Sequence, residues 1–160
     1  MSTEDENITL ETFDKHLIKV SKNTAKMSSV INMMIEDIED ENAIVPLSDK
    51  SCTQSTMNLV IKYLEKHIEF KKEKTENNIV IEFDNEFQDQ SDKIIFSLIL
   101  AANFLDIKDL LELMCKKIAD ELKKCNTQED VRERFDIREE ITQSDVDAVR
   151  NAHPWVLDNT

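Results

Sequence analysis

Glycine is absent from this 160-residue chain, and its absence excludes several kinds of functional site. Glycine-rich phosphate loops, glycine-based hairpin turns and nucleophile elbows all depend on that residue. Glycine is also the residue that most readily takes a left-handed backbone conformation, so a chain without it is expected to have few tight turns. This favours a mainly helical protein.

Histidine and cysteine are few, and neither is arranged as a metal site requires. His16, His67 and His153 lie far apart and no C-x-x-C pair is present, so we expect no metal and no cofactor. Cys115 lies on an amphipathic segment and is predicted to be a small core residue. Cys125 lies in a polar turn, and its use as a nucleophile or redox thiol is one enzymatic hypothesis, although no histidine base is predicted near it.

Positive charge is also scarce, because 34 acidic residues outnumber 20 basic ones and give a formal net charge of −14. This balance argues against nucleic-acid phosphates and anionic membranes as partners. An odd number of cysteines and no secretory segment at the start favour a reducing compartment, and we expect the cytoplasm and nucleus. The length predicts one domain, or a domain with a packed extension.

The longest apolar stretch, residues 94–104, is too short to span a bilayer and too long for an ordinary buried strand. Only Ser97 and Asn103 interrupt it. It therefore predicts a core helix that is apolar on all sides because other elements surround it. We expect this helix to begin at Ser91 or the residue after it, and to stop near Asp106.

Upstream of that helix, short apolar strands precede amphipathic helices. The predicted elements are a strand pair at residues 8–11 and 16–20, a helix over 24–38 and a strand over 43–47. Pro46 favours a sheet edge for the last strand, because proline cannot donate to a strand ladder. The acidic run 36–42 is expected to be a solvated loop.

The next segment is predicted from a cap and a polar run. Ser51 and Gln54 have the spacing of a capping box and predict the start of a helix. The polar run 71–78 predicts a flexible loop. Phe83 and Phe87 are expected to anchor a single helical turn after it.

Short helices are expected toward the end of the chain. Residues 110–122 place apolar side chains on one helix face, and two more helix caps are predicted at Thr127 with Asp130 and at Thr142 with Asp145. Such short helices need a packing partner. Trp155, the one tryptophan, is either an interface anchor or a lid on its own helices, and composition leaves both open.

The string LILAANFLDIKDLLELMCKKIADELK at residues 98–123 resembles the most recognisable segment of the Skp adaptors, the linker subunits of Skp–cullin–F-box ubiquitin ligases. The resemblance continues through RERFDI at 132–137 to Trp155. Upstream it includes the predicted helix before the acidic loop and the VPL at 45–47. Elongin C resembles only the first two thirds and is the lesser match.

The resemblance implies an α/β, mainly helical fold: a BTB/POZ-like domain over 1–123 and a C-terminal helical extension over 124–160. It implies a non-catalytic adaptor that links a cullin to F-box proteins. The implied cullin-binding residues are Asn103, Phe104, Ile31 and Pro46. The implied F-box-binding residues are Ile107, Leu111, Met114, Phe135, Ile137, Val149 and Trp155. Short helices with apolar faces independently favour a groove for a partner helix.

Several residues depart from the family pattern. Phe104 stands where tyrosine is usual, Asp109 where glycine is common, and Gln128 where proline often stands, while Pro154 directly precedes Trp155. Two related functions stay open: an elongin-C-like adaptor for a different box motif, and an F-box-binding protein that acts outside a cullin ligase. Bare apolar helices also lead us to consider a homodimer of the free chain.

Overall fold

A computed structural model describes residues 6–37 and 43–153. The chain divides into two compact units, Met1–Glu121 and Leu122–Thr160, and each is described by itself. The first unit holds a small sheet and the helices packed on it. The predicted Trp155 anchor and its neighbour Pro154 lie outside the described residues.

The sheet of the first unit has three strands in the order β2-β1-β3. Strand β1 (Asn7–Glu11) pairs antiparallel with β2 (Leu17–Ser21) and parallel with β3 (Ile44–Pro46). The predicted strand pair is confirmed, and so is the edge position of the strand that contains Pro46. Leu10 and Val20 are buried, so one face of this sheet covers the core.

The turn between β1 and β2 is tied to the start of a helix far along the chain. Asp14 Oδ1 accepts hydrogen bonds from Thr12 Oγ1 at 2.6 Å and from the backbone N–H of Gln54 at 2.9 Å. The Thr12 hydroxyl is the main reason why the pKa of Asp14 is lowered, and the Gln54 amide lowers it further. The hairpin and the helix that begins at Gln54 are thereby held together.

The single helix predicted over 24–38 is two helices, α1 (Lys22–Ala25) and α2 (Ser29–Glu36). Ser28 separates them because it has an extended backbone and caps α2: its Oγ accepts from the Ile31 N–H at 3.1 Å. A hydrophobic period cannot reveal such a break, since the apolar face continues across it. Residues 38–42, most of the predicted acidic loop, lie outside the described residues.

Helix α3 (Gln54–Glu73) does not begin with the predicted Ser51 cap. Thr53 is the N-cap, and its Oγ1 accepts from the Thr56 N–H, while the Ser51 hydroxyl bonds to Asp49 instead. Ser51 lies two positions too early because Asp49 holds it in a local turn. The capping-box prediction at this helix was therefore wrong.

The predicted flexible loop over 71–78 is mostly helix. Helix α3 continues to Glu73, and α4 (Asn77–Phe87) begins after a three-residue link. The predicted single turn is thus an eleven-residue helix. Polar residues that form helices well cannot be told from a loop by polarity alone. The aromatic rings that hold α4 on α3 are Tyr63, His67, Phe70, Phe83 and Phe87.

The central apolar stretch forms α5 (Asp92–Phe104), and α6 (Lys108–Leu122) follows it. Ile95 and Leu98 are buried, but Phe96 is 41% exposed and Leu100 is 59% exposed. The helix prediction was right, whereas the expectation of burial on all sides was wrong because one face of α5 lies at the surface. Cys115 on α6 is exposed, so the prediction of a core cysteine was also wrong.

The second unit contains α7 (Gln128–Arg134) and α8 (Gln143–Ala152). Both predicted capping boxes are confirmed: Thr127 with Asp130 begins α7, and Thr142 with Asp145 begins α8. Neither helix has a fully buried side chain among the described residues. The caps therefore matter here more than they do in the first unit, where packing supports the helices.

Three helices end on a residue in the left-handed region, a position that usually belongs to glycine. These residues are Lys74 after α3, Asp106 after α5 and Asp136 after α7, with φ of 51°, 51° and 50°. The Ile107 N–H donates to the Ala102 carbonyl at 2.9 Å, as in a Schellman motif. The glycine-free chain therefore does form tight helix ends, at some cost in backbone strain.

Replacing Lys74 with glycine is expected to raise the free energy of unfolding by about 0.5–1 kcal/mol, because glycine takes a positive φ without strain. Chemical denaturation of the full chain measures it. The matched control is Lys62→Gly in the exposed middle of α3, which should lower the same free energy by about 1 kcal/mol. Equal losses in both variants would contradict the left-handed assignment of Lys74.

The α8 cap should weaken at acid pH. The Thr142 hydroxyl, followed by the Thr142 amide, lowers the pKa of Asp145. Since the folded pKa lies below the unfolded one, the stabilisation is present above the unfolded pKa and is lost as the pH falls through the folded pKa. Backbone amide shifts of Thr142 and Asp145 should report this loss below about pH 4. Asp145→Asn should abolish the pH dependence, and an unchanged titration in that variant would contradict this origin.

Candidate partner-binding surfaces

The last turn of α5 carries two of the predicted cullin-binding residues. Asn103 is exposed, and Phe104 is partly buried against the core. Two carbonyls of this turn accept hydrogen bonds from residues just beyond the helix. The Asp106 N–H donates to the Asn103 carbonyl, and the Ile107 N–H donates to the Ala102 carbonyl. The Asn103 side chain is therefore presented from a hydrogen-bonded helix end, next to the Phe104 ring.

A residue from a distant segment also holds this turn. The Ser28 Oγ donates to the Leu105 carbonyl at 2.6 Å across a separation of 77 residues. Ser28 and Leu105 are both fully buried. The hydrogen bond links the start of α2 to the end of α5, and sequence analysis did not identify it. The spacing of Ser28 before an apolar helix signals a cap, but nothing local identifies the second partner.

The other two predicted cullin-binding residues differ in exposure. Pro46 is exposed at the sheet edge, whereas Ile31 is 2% exposed and belongs to the core. A side chain so deeply buried has no surface with which to contact a partner, so Ile31 supports α2 rather than offering a contact. Met33 on the same helix is 57% exposed and was not among the predicted site residues.

The predicted F-box residues of the first unit are largely core residues. Ile107 is 4% exposed and Met114 is fully buried, so neither offers a direct contact surface in the free chain. Leu111 is partly exposed on the same helix. These three positions were implied by the family resemblance. They also follow the apolar period of a core-facing helix face, and that period cannot tell core from interface.

The predicted residues of the second unit are at the surface. Ile137 is 43% exposed and Val149 is 58% exposed, while Phe135 is partly buried. Val149 lines an open groove of about 250 Å³ together with Ile141 and Val146. Ile141 and Val146 were missed as site residues. They occupy the two positions of a hydrophobic staple around the Thr142 cap, which is the signal that could have found them.

The side chains most often used for metal binding or nucleophilic chemistry are those of His, Cys, Asp and Glu. Within residues 6–37 and 43–153, no group of three or more His, Cys, Asp or Glu side chains could hold a metal ion. In the same part of the chain, no helix has the length and apolar content needed to cross a membrane. Burial raises the pKa of the Cys52 thiol to about 11, which keeps it protonated near neutral pH.

Comparison with known proteins finds two family models that match this chain, and both describe the same family. Residues 6–69 match the model described as Skp1 family, tetramerisation domain, and residues 108–156 match the one described as Skp1 family, dimerisation domain. The first of these is the POZ domain of the family, in agreement with the predicted BTB/POZ-like fold.

Curated relatives are similar over almost their whole length. SKP1-like protein 10 of Arabidopsis thaliana is 35% identical, covering 97% of this chain and 98% of that protein. The SCF ubiquitin ligase complex protein SKP1b of Dictyostelium discoideum is 31% identical, covering 94% and 96%. The E3 ubiquitin ligase complex SCF subunit sconC of Arthroderma benhamiae is 28% identical, covering 96% and 97%. The chain belongs to the Skp1 family.

Proposed function

We propose that this protein is a non-catalytic adaptor of an SCF ubiquitin ligase that joins a cullin to F-box substrate receptors. The observation that carries the proposal is similarity over at least 94% of the chain to relatives named as subunits of that ligase. The two candidate surfaces support it, since each lies on a different unit of one chain.

The cullin is proposed to bind the first unit at the end of α5. Asn103 offers an amide that can donate and accept, and Phe104 offers an aromatic edge beside it. Pro46 is retained as a weaker contact at the edge of the sheet. Because Phe104 has no hydroxyl, its contribution is packing alone, which distinguishes it from the tyrosine usual in the family.

The F-box is proposed to bind the second unit. Val149 and Ile137 carry exposed apolar area, and the groove lined by Val146 and Ile141 extends it. A helix of ten residues with no buried side chain gains a packing partner when an apolar helix of the F-box lies along it. Trp155, whose sequence position follows α8, is proposed as a further anchor.

The adaptor acts by raising effective concentration. When one chain holds a cullin and an F-box protein at once, the substrate on the F-box protein meets the ubiquitin-loaded enzyme in an intramolecular step. No chemical group of this chain takes part in that step. Its contribution is affinity for each partner.

The cullin surface can be tested with Asn103→Lys combined with Phe104→Ala. The variant should weaken binding to a cullin N-terminal domain by at least about tenfold, because it removes an aromatic contact and places a charge at the interface. Binding to an F-box protein should be retained. Isothermal titration calorimetry with each partner separately measures both affinities.

The matched control for that experiment is Asn58→Lys, which places the same charge on the exposed face of α3. The single variant Asn103→Lys shows whether weaker cullin binding comes from the lost contact or from destabilisation of the fold. Asn103 is exposed, whereas Phe104 packs on the core, so the single variant should leave the fold intact. Loss of both partners in the Asn103→Lys variant would argue for misfolding. F-box binding by the wild-type chain without cullin binding would favour the function outside a cullin ligase.

The F-box surface can be tested with Val149→Asp and with Trp155→Ala. The charge at Val149 should weaken F-box binding because a carboxylate would be buried against an apolar partner. Truncation of Trp155 should cost about 2 kcal/mol of binding free energy if it is an anchor. Cullin binding should be unchanged in both, as measured by the same titrations.

Ser144→Asp is the matched control on α8, since it adds the same charge at an exposed position that does not line the groove. Equal weakening by Ser144→Asp and Val149→Asp would contradict the groove as the binding surface. Wild-type binding to an elongin-C-type box motif in place of an F-box would support the elongin-C-like alternative.

A further inference from the structure

Ser28 is not one of the contact residues that the family resemblance implies. Its side chain is fully buried between two segments of the first unit. The Oγ accepts from the Ile31 N–H at 3.1 Å and donates to the Leu105 carbonyl at 2.6 Å. One hydroxyl therefore accepts from an N–H in α2 and donates to the carbonyl of the residue that directly follows α5.

Leu105 is the C-cap of α5, and its carbonyl, which lies just beyond the helix, has no partner inside it. A helix leaves its last four carbonyls without helical partners. The Schellman-type bonds from Asp106 and Ile107 occupy the Asn103 and Ala102 carbonyls, and Leu105 receives the Ser28 hydroxyl. Ser28 thus caps the beginning of α2 and the end of α5 at the same time.

The turn that Ser28 holds is the turn that displays the proposed cullin contacts. Asn103 and Phe104 immediately precede Leu105, and the left-handed Asp106 immediately follows it. Without the hydroxyl, a buried carbonyl would lose its partner, and the end of α5 would be free to shift relative to α2. A shift of that turn moves both contact side chains together.

We propose that Ser28 is a positioning residue for cullin binding, which sets the orientation of Asn103 and Phe104 through the Leu105 carbonyl without touching the cullin. The proposal rests on the adaptor function and adds a residue to it. A serine that merely capped α2 would need only the acceptor half of its hydroxyl, whereas here the donor half is directed at α5.

Ser28→Ala should weaken cullin binding about tenfold, as expected for the loss of a buried hydrogen bond that holds the interface. F-box binding through the second unit should change less than about twofold, which is within the spread of ordinary surface effects. Ser28→Thr, which keeps a donor and an acceptor, should restore most of the cullin affinity. Calorimetry with each partner and thermal unfolding of each variant provide the comparison.

The matched control is Ser21→Ala, because Ser21 is also an N-cap, and its Oγ accepts from the Thr24 N–H at 3.1 Å. Its bonds remain within the first turn of α1, so its loss should lower stability without changing cullin affinity. If Ser28→Ala and Ser21→Ala have the same cullin affinity, Ser28 is a structural cap only and the proposal is overturned.

A second measurement separates this proposal from the adaptor function itself. Amide hydrogen exchange at Leu105 and Ile107 should accelerate in Ser28→Ala and stay unchanged in Ser21→Ala, with no partner present. Faster exchange with intact cullin affinity overturns the positioning role. A wild-type chain that binds F-box but no cullin overturns the cullin function, and the role of Ser28 in it, whatever the exchange shows.

Discussion

The buried reversal of the chain between α5 and α6 is the constraint on which the first unit depends. Leu105 and Ile107 place their side chains in the core, while Asp106 between them takes a left-handed conformation. The Ser28 hydroxyl closes the turn from the other side. Any movement here exposes apolar area and leaves a carbonyl without a partner, so the exposed Asn103 is displayed from a turn that is held by both packing and a buried hydrogen bond.

The absence of glycine makes the same conformational problem recur at the end of α3 and α7. Lys74 and Asp136 take the left-handed conformation there, as Asp106 does after α5. Aspartate tolerates it better than most residues because its short polar side chain bonds locally. Composition led to the expectation of few tight turns. A helix that must stop for tertiary reasons nevertheless accepts a residue in the strained left-handed conformation.

The two candidate surfaces are held in different ways. The end of α5 is supported by the core beneath it, so the backbone that carries its exposed polar residue is held by packing without a partner. The α8 surface is supported by a capping box and a hydrophobic staple, with no buried side chain in the helix. A surface of the second kind gains most from a partner that covers its apolar face.

Sequence by itself determined the family, because the resemblance runs in order along nearly the whole chain. It also determined the strand pair, the central helix and the caps at Thr127 and Thr142, because these depend on neighbours within a few residues. It mistook a polar helix for a loop at 71–78 and placed Cys115 in the core. Only the tertiary structure decided which apolar residues face outward: Ile31 and Met114 are buried, whereas Met33 is not. That choice depends on contacts such as the one from Ser28 to Leu105, whose partners lie 77 residues apart and leave no local pattern.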